Sequence, residues 1–390
     1  MTGPVPGEAR AARPDEAEAA LQTLCDAFGL DADAARPIFY ADPFYDLSHK
    51  RVLRLPHAGV VSCLTVVPAV LRVGGVPVPA GGIAGVATRP ECQRRGHAAA
   101  LLRATVPALW DELGYPLSLL HPLSAPFYRR FGWETASESV RWAAPPASLP
   151  APAEAPPVRP AAHADWPGIY ALHAELTQED TGACVRDGRR WRVIRLPVPG
   201  REVWVTDGGY AVWERGEALH VLEKHARTPA ARAALRAHLA RQPEPSAEWL
   251  APPALLRDFG LATSPAPPEP GAMLRLVDLP AALGAVHGAL YAPALASAGA
   301  TLTIQAADPL RPVNARPLRL TPDGVAPGTD SDAPWLRAGI GTLAALYLGF
   351  RTPSAMQAAG RLSCDSPAAL ALADRLFPPR APYVAPLDQV

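Results

Sequence analysis

The 390-residue sequence predicts an α/β (α+β) protein built of successive mixed-sheet domains, and three observations carry that reading. Between Val76 and Leu113 an apolar strand runs into an Arg/Gly-rich turn and then an amphipathic helix. Strand-like segments broken by Pro and Gly precede this junction, so antiparallel pairs lead into a strand–loop–helix–strand unit. Two Pro-rich stretches, residues 143–162 and 264–270, interrupt every periodicity and divide the chain into three.

Taken in order, residues 16–28 have helical spacing, and residues 52–61, 63–72 and 76–88 read as strands. In the helix that follows, Leu101, Leu102, Leu109 and Leu113 share one face, and Pro107 predicts a kink. Residues 115–122 read as the next strand, and residues 124–133 as a short helix closed by Gly132. The middle third offers a helix at 165–176, a hairpin turned at Asp207-Gly208-Gly209, a strand at 218–224 and a helix at 229–241. That order mimics the first third without its Arg/Gly turn, as a degenerate second copy would. The last third reads as strands at 273–280, 300–305 and 318–325, then helices at 340–349, 353–361 and 367–377, before an extended Pro-containing end.

Charge is balanced, with 37 basic and 37 acidic residues, so no long-range field points to nucleic acid or a membrane surface. Nearly all the cations are arginine, Lys50 and Lys224 being the two lysines, which reads as compositional bias and not as a binding surface. No leader pattern and no uninterrupted apolar run of spanning length is evident, and a cytoplasmic protein is expected. Cys25, Cys63, Cys92, Cys184 and Cys364 are scattered without a C-x-x-C pair, and the histidines form no sequence cluster. Neither a disulfide framework nor a metal site is expected. Cys92 is either a reactive thiol in the turn or a small residue that fits there.

The turn itself is the informative feature. Gln93-Arg94-Arg95-Gly96-His97-Ala98 opens a helix, so unpaired backbone N–H groups converge with the positive end of the helix dipole. Such a point binds phosphate or pyrophosphate, with Arg94 and Arg95 adding charge and Gly96 permitting close approach.

This hexapeptide resembles the acetyl-CoA pyrophosphate loop of GNAT N-acetyltransferases, Gln/Arg-x-x-Gly-x-Gly/Ala. The run Pro126-Phe127-Tyr128-Arg129-Arg130-Phe131-Gly132-Trp133 follows it in the order that fold uses. With Met273-Leu274-Arg275-Leu276-Val277-Asp278 and Leu343-Ala344-Ala345-Leu346-Tyr347-Leu348-Gly349, the whole chain resembles the Eis (enhanced intracellular survival) family. The resemblance implies a catalytic GNAT domain over residues 1–145, a degenerate one over 158–265 and a sterol-carrier-like domain over 271–390. It also implies a homohexamer that acetylates small-molecule amines, aminoglycosides among them, with acetyl-CoA as co-substrate.

By the same resemblance Val86, Ala87 and Thr88 would hold the pantetheine arm and present an oxyanion-stabilising N–H. Arg94, Arg95, Gly96, His97, Ala98 and Ala99 would hold the pyrophosphate, with Leu123 and Ser124 completing the cofactor set. Tyr128 would be the general acid, the other reading being a core tyrosine beside Phe127 and Phe131. The C-terminal carboxylate, here on Val390, would serve as base or as anchor for the substrate ammonium, with Asp26 or Asp388 adding charge. His121 is a proton shuttle or a hydrogen-bonded strand-end histidine. His97 would face solvent or phosphate, and Trp133, Trp166, Trp191, Trp204 and Trp213 read as core. The expected function is N-acetyl transfer by direct attack of an amine. A non-catalytic acyl-CoA-binding protein is the alternative, and lipid binding by the last domain a third reading.

Overall fold

The computed structural model describes residues 7–150, 155–261, 267–329 and 334–389. The chain forms two compact units, one from residues 1–136 and 273–380, the other from residues 137–272 and 381–389.

The first unit begins with β1 (Glu8–Ala11), α1 (Ala17–Phe28) and α2 (Ala32–Ala41), then β2 (Lys50–Leu55), β3 (Gly59–Val73) and β4 (Val76–Thr88). Residues 56–58 turn the chain, so a single long β3 replaces the two shorter strands expected around Ser62. After β4 come α3 (His97–Asp111), β5 (Leu117–Leu120), α4 (Ala125–Arg129) and β6 (Glu134–Thr135). The α3 helix runs through Pro107 without interruption. Leu101, Leu102, Val106 and Leu109 pack with Leu64, Val66 and Ile83 on one side of the sheet. Ala20 and Leu24 of α1 cover the opposite face through Val52, Val60 and Cys63. Alternation along each strand thus buries both faces of the sheet, and α3 is held rigidly at the end of β4.

The second unit contains β7 (Glu138–Ala144), β8 (Arg159–Pro160), α5 (Trp166–Leu176), α6 (Gly188–Ile194), β9 (Arg201–Thr206), β10 (Gly209–Arg215), β11 (Leu219–Ala226), α7 (Pro229–Ala240), β12 (Ala247–Ala251), α8 (Pro253–Asp258) and β13 (Glu269–Pro270). The hairpin turn at Asp207-Gly208 uses positive φ at Gly208, as a two-residue connection requires. The stretch 143–162 is not the featureless linker its prolines suggest. Ala143 and Ala144 finish β7, and Arg159–Pro160 pairs with β9. Its residues 151–154, like residues 264–266 of the second Pro-rich stretch, lie outside the described residues. Here β11 and β12 are the parallel pair, as β4 and β5 are in the first unit.

The chain then returns to the first unit with β14 (Met273–Leu276), which lies between β5 and β6 in that sheet. Residues 302–307, 318–321, 324–327, 335–339 and 362–364 build a separate five-stranded sheet. Two strands therefore cross the divisions read from the sequence: β7 joins the second unit and β14 joins the first. Leu279–Ala298 is a continuous helical stretch of 20 residues with mean hydropathy 1.3, long and apolar enough to cross a membrane, and it carries Pro280, His287 and Pro293. Its buried Leu279, Ala282, Leu283, Val286, Tyr291 and Leu295 mark it as a core helix of this unit. Leu276, Leu279, Leu283, Ile304, Leu343, Tyr347 and Phe377 meet around a gap too narrow for one water molecule.

Candidate active site

The site starts from where two parallel strands part. β4 pairs with β5 at Ala80, Gly81 and Gly82, and its remaining residues continue without that partner. On its other edge β4 follows β3, with a bulge where Gly85, at φ 58°, and Val86 stand opposite Leu64. The Arg89 N–H donates to Val61 O, so alternation directs the peptide groups of Thr88 and, two residues earlier, Val86 away from β3. The Gln93 side chain donates to Thr88 O at 3.3 Å from that free side.

Residues 89–96 connect β4 to α3 and form the turn. Arg94 holds φ 61° and Gly96 φ 85°, both left-handed, with Arg95 between them. A non-glycine residue there costs about 1–2 kcal/mol, strain that the surrounding fold sustains at this loop. Alternating hand turns successive N–H groups into one concavity. The first bond of α3 runs from Ala100 N to Gly96 O. The N–H groups of His97, Ala98 and Ala99 therefore precede the helical ladder and point out of its N-terminus.

These pieces line a cleft of about 1150 Å³ together with Ala27, Phe28, Leu123 and Phe127. Its volume exceeds the roughly 300–1,000 Å³ usual for small ligands, as an extended nucleotide thioester requires. Arg94, Arg103 and Arg130 also line it, and none of them has a carboxylate in salt-bridge range among the described residues. Among the described residues no aspartate or glutamate lines it. The cleft is thus cationic at its loop end and apolar elsewhere. Val86, Ala87, Thr88, Arg94, Gly96, His97, Ala98, Ala99 and Leu123 all lie in its wall, whereas Arg95 and Ser124 do not.

His97 differs from its sequence reading. It begins α3 with its ring buried, not facing solvent, and neither ring nitrogen has a hydrogen-bond partner among the described residues. Burial, then the nearby Arg95, lowers its pKa, so the neutral ring offers one donor and one acceptor. A buried imidazole without a hydrogen-bond partner, a left-handed cradle and arginines without a carboxylate partner, all among the described residues, together fit a polyanionic nucleotide thioester. Nothing in the sequence alone signalled the left-handed Arg94.

Tyr128 sits on α4 beside Phe127, which lines the cleft; Tyr128 itself is half-buried, edge-on to Phe127 and Trp133. Burial raises its pKa, which keeps the phenol protonated at neutral pH. His121 directly follows β5; burial lowers its pKa to about 4, and its Nδ1 is buried without a partner among the described residues. Asp26 is exposed near Ala27 and accepts from Gln22 at 2.7 Å. Asp388 is not an open acid: it is buried against Arg186, 2.7 Å from Nη2. Val390 lies outside the described residues. Cys92 is buried in the cleft wall, and burial pushes the Cys63 and Cys184 thiols up to about 12. Trp133, Trp191 and Trp213 are buried, and Trp166 and Trp204 pack against the same cores.

Comparison with known proteins follows this geometry. Residues 8–136 match the acetyltransferase (GNAT) domain family, and residues 280–385 match the sterol carrier protein domain family. No curated protein sequence matches the chain. Among solved structures, a GCN5-related N-acetyltransferase from Anabaena variabilis superposes with a TM-score of 0.81 at 23% identity, covering 98% of this chain and 100% of that one. One from Kribbella flavida gives 0.80 at 24%, covering 98% and 100%. Eis1 from Mycobacterium abscessus gives 0.75 at 23%, covering 97% and 99%. At these identities the likeness is one of fold.

Proposed function

We propose that this chain, an Eis-like acetyltransferase joining a GNAT domain to a sterol carrier protein domain, transfers acetyl from acetyl-CoA to a primary amine. The acceptor class is a small-molecule amine, aminoglycoside-like or polyamine, or a lysine side chain, attacked directly without an acyl-enzyme. The single observation that carries this reading is the splayed end of β4 opening onto the left-handed cradle at Arg94–Gly96.

Acetyl-CoA, when bound, supplies the acetyl group as a thioester. The N–H groups of His97, Ala98 and Ala99 and the guanidinium of Arg94 would hold its diphosphate, with His97 adding one buried hydrogen bond. The peptide groups of Val86 and Thr88 would pair with the amide arm as an edge strand does. The Thr88 N–H, which faces away from β3, would stabilise charge on the carbonyl oxygen, a role worth a few kcal/mol. Tyr128 holds a proton at Oη that would pass to sulfur as the carbon–nitrogen bond forms and the carbon–sulfur bond breaks. The proton lost by the amine then restores the phenol. The buried thiols of Cys63 and Cys184 are poor nucleophiles, which agrees with direct attack.

The test is thiol release from acetyl-CoA against aminoglycosides, polyamines, lysyl peptides and arylalkylamines. Turnover with one class identifies the acceptor. Tight acetyl-CoA binding with no turnover on any amine would leave the acyl-CoA-binding reading in its place. A cytoplasmic homohexamer goes with this proposal, and light scattering that gives a monomer would remove that part of it.

A further inference from the structure

The second unit carries its own pocket, of about 340 Å³, at the place where its parallel strands part. β11 and β12 pair only from Leu219 to Val221, and β11 then continues through Glu223 and His225 without β12, still paired with β10 on its other edge. In open α/β sheets that position, beyond the carboxyl ends of parallel strands, is where ligands bind. The first unit uses it for its cleft. The second has no Arg/Gly turn there, since Thr228 caps α7 directly.

What stands there instead is a set of metal-ligating atoms. His173 of α5 and Glu223 and His225 of β11 bring one ligand atom each to within 4.8 Å of one another. Glu223 and His225 are two residues apart on a strand and so share a face, while His173 arrives from 50 residues earlier. All three line the open pocket, as do Asp180 and Asp388.

The carboxylate is held in place from behind. Arg186 donates through Nη1 to Glu223 Oε1 at 2.9 Å and through Nη2 to Oε2, and the Tyr210 hydroxyl donates to Oε1 at 2.5 Å. A carboxylate accepts about four such bonds, so one lone pair on Oε2 remains. Arg186 also bonds Asp388, at 2.9 and 2.7 Å. These three buried side chains place two negative charges against one positive. An excess negative charge, a carboxylate fixed by outer hydrogen bonds and two imidazoles are the composition of a transition-metal site.

The geometry points to a divalent transition-metal site at His173, Glu223 and His225, of the zinc, cobalt or nickel class, with open coordination toward the pocket. Ligand atoms of a bound ion stand roughly 3.3 Å apart, given bonds near 2.0–2.1 Å, so the three atoms, within 4.8 Å of one another, would draw closer on binding. The scattered histidines gave no sign of this in sequence, because the cluster forms only when α5 packs against β11.

The experiment is titration of the chelator-treated full chain with Co²⁺, followed by visible absorption and back-titration with Zn²⁺. The site predicts one equivalent of Co²⁺ with ligand-field bands of four- or five-coordinate intensity, bleached by Zn²⁺. It also predicts a melting temperature that Zn²⁺ raises in the wild type and not in His225→Gln. Absence of a one-equivalent band in the wild type overturns the proposal whether or not the variant folds. A thiolate-to-cobalt charge-transfer band overturns it too, since the ion would then sit on a cysteine.

Discussion

Nη1 of Arg275 lies 1.7 Å from the point that a β-carbon on Gly132 would occupy. Gly132 also holds φ 88°, so neither its backbone nor its surroundings admit a side chain. The same nitrogen donates to Phe131 O at 2.6 Å, and Nη2 bonds Asp308 at 2.6 and 2.8 Å with both side chains fully buried. The end of the Phe127–Trp133 motif is therefore pinned by a strand that the chain delivers some 140 residues later.

Gly132→Ala is expected to cost about 3 kcal/mol or more. It adds left-handed strain of about 1–2 kcal/mol and pushes Arg275 off Asp308, leaving a buried carboxylate unpaired. Urea unfolding measures it, and an unchanged midpoint at unchanged slope would show that Arg275 does not depend on that space.

Arg94→Gly separates strain from charge. Relief of left-handed strain is opposed by the greater freedom of an unfolded glycine, so stability should hold or rise by up to about 1 kcal/mol. Acetyl-CoA affinity should fall several-fold with the lost guanidinium. Calorimetric titration beside a thermal melt checks both halves, and loss of stability with intact affinity would contradict the cradle.

Acid should destabilise the first unit over two pH ranges. His121 is neutral in the fold to about pH 4 against an ordinary value near 6.5, so the unfolded chain binds more protons between those limits. Stability present above about pH 6.5 is lost as pH falls through that window. Glu16 is held at about 2, chiefly by its hydrogen bonds from Arg10 at 2.6 and 2.9 Å. Its contribution, on the order of 2 kcal/mol, is present above about pH 4.5 and lost as pH falls toward 2. Stability measured against pH should lose its upper slope in His121→Asn and its lower slope in Glu16→Gln. Identical curves for all three proteins would contradict the assignment.

The local features of the first unit were legible because they are encoded by neighbours. The strand at Val76–Thr88, the turn at Gln93–Ala98 and the helix from His97 follow from period and cap chemistry over a few residues. What escaped was long-range or conformational. The place of Met273–Leu276 between β5 and β6 depends on pairing across the chain, which alternation alone cannot specify. Arg94 looks like any exposed arginine until its φ is known, and His97 looks like a loop residue until α3 buries it. A proline misled as well: Pro160, read as part of a linker, belongs to a paired strand.

The central claim is that the cleft presents a thioester to an amine with Tyr128 as acid, and kcat of Tyr128→Phe tests it most directly. The phenyl ring keeps the contacts with Phe127 and Trp133 and removes only the proton. The account predicts a 10²- to 10⁴-fold fall in kcat with the acetyl-CoA Kd and the melting temperature unchanged. A variant that turns over at the wild-type rate would show that Tyr128 is a packing residue, and the proton would then have to come from elsewhere.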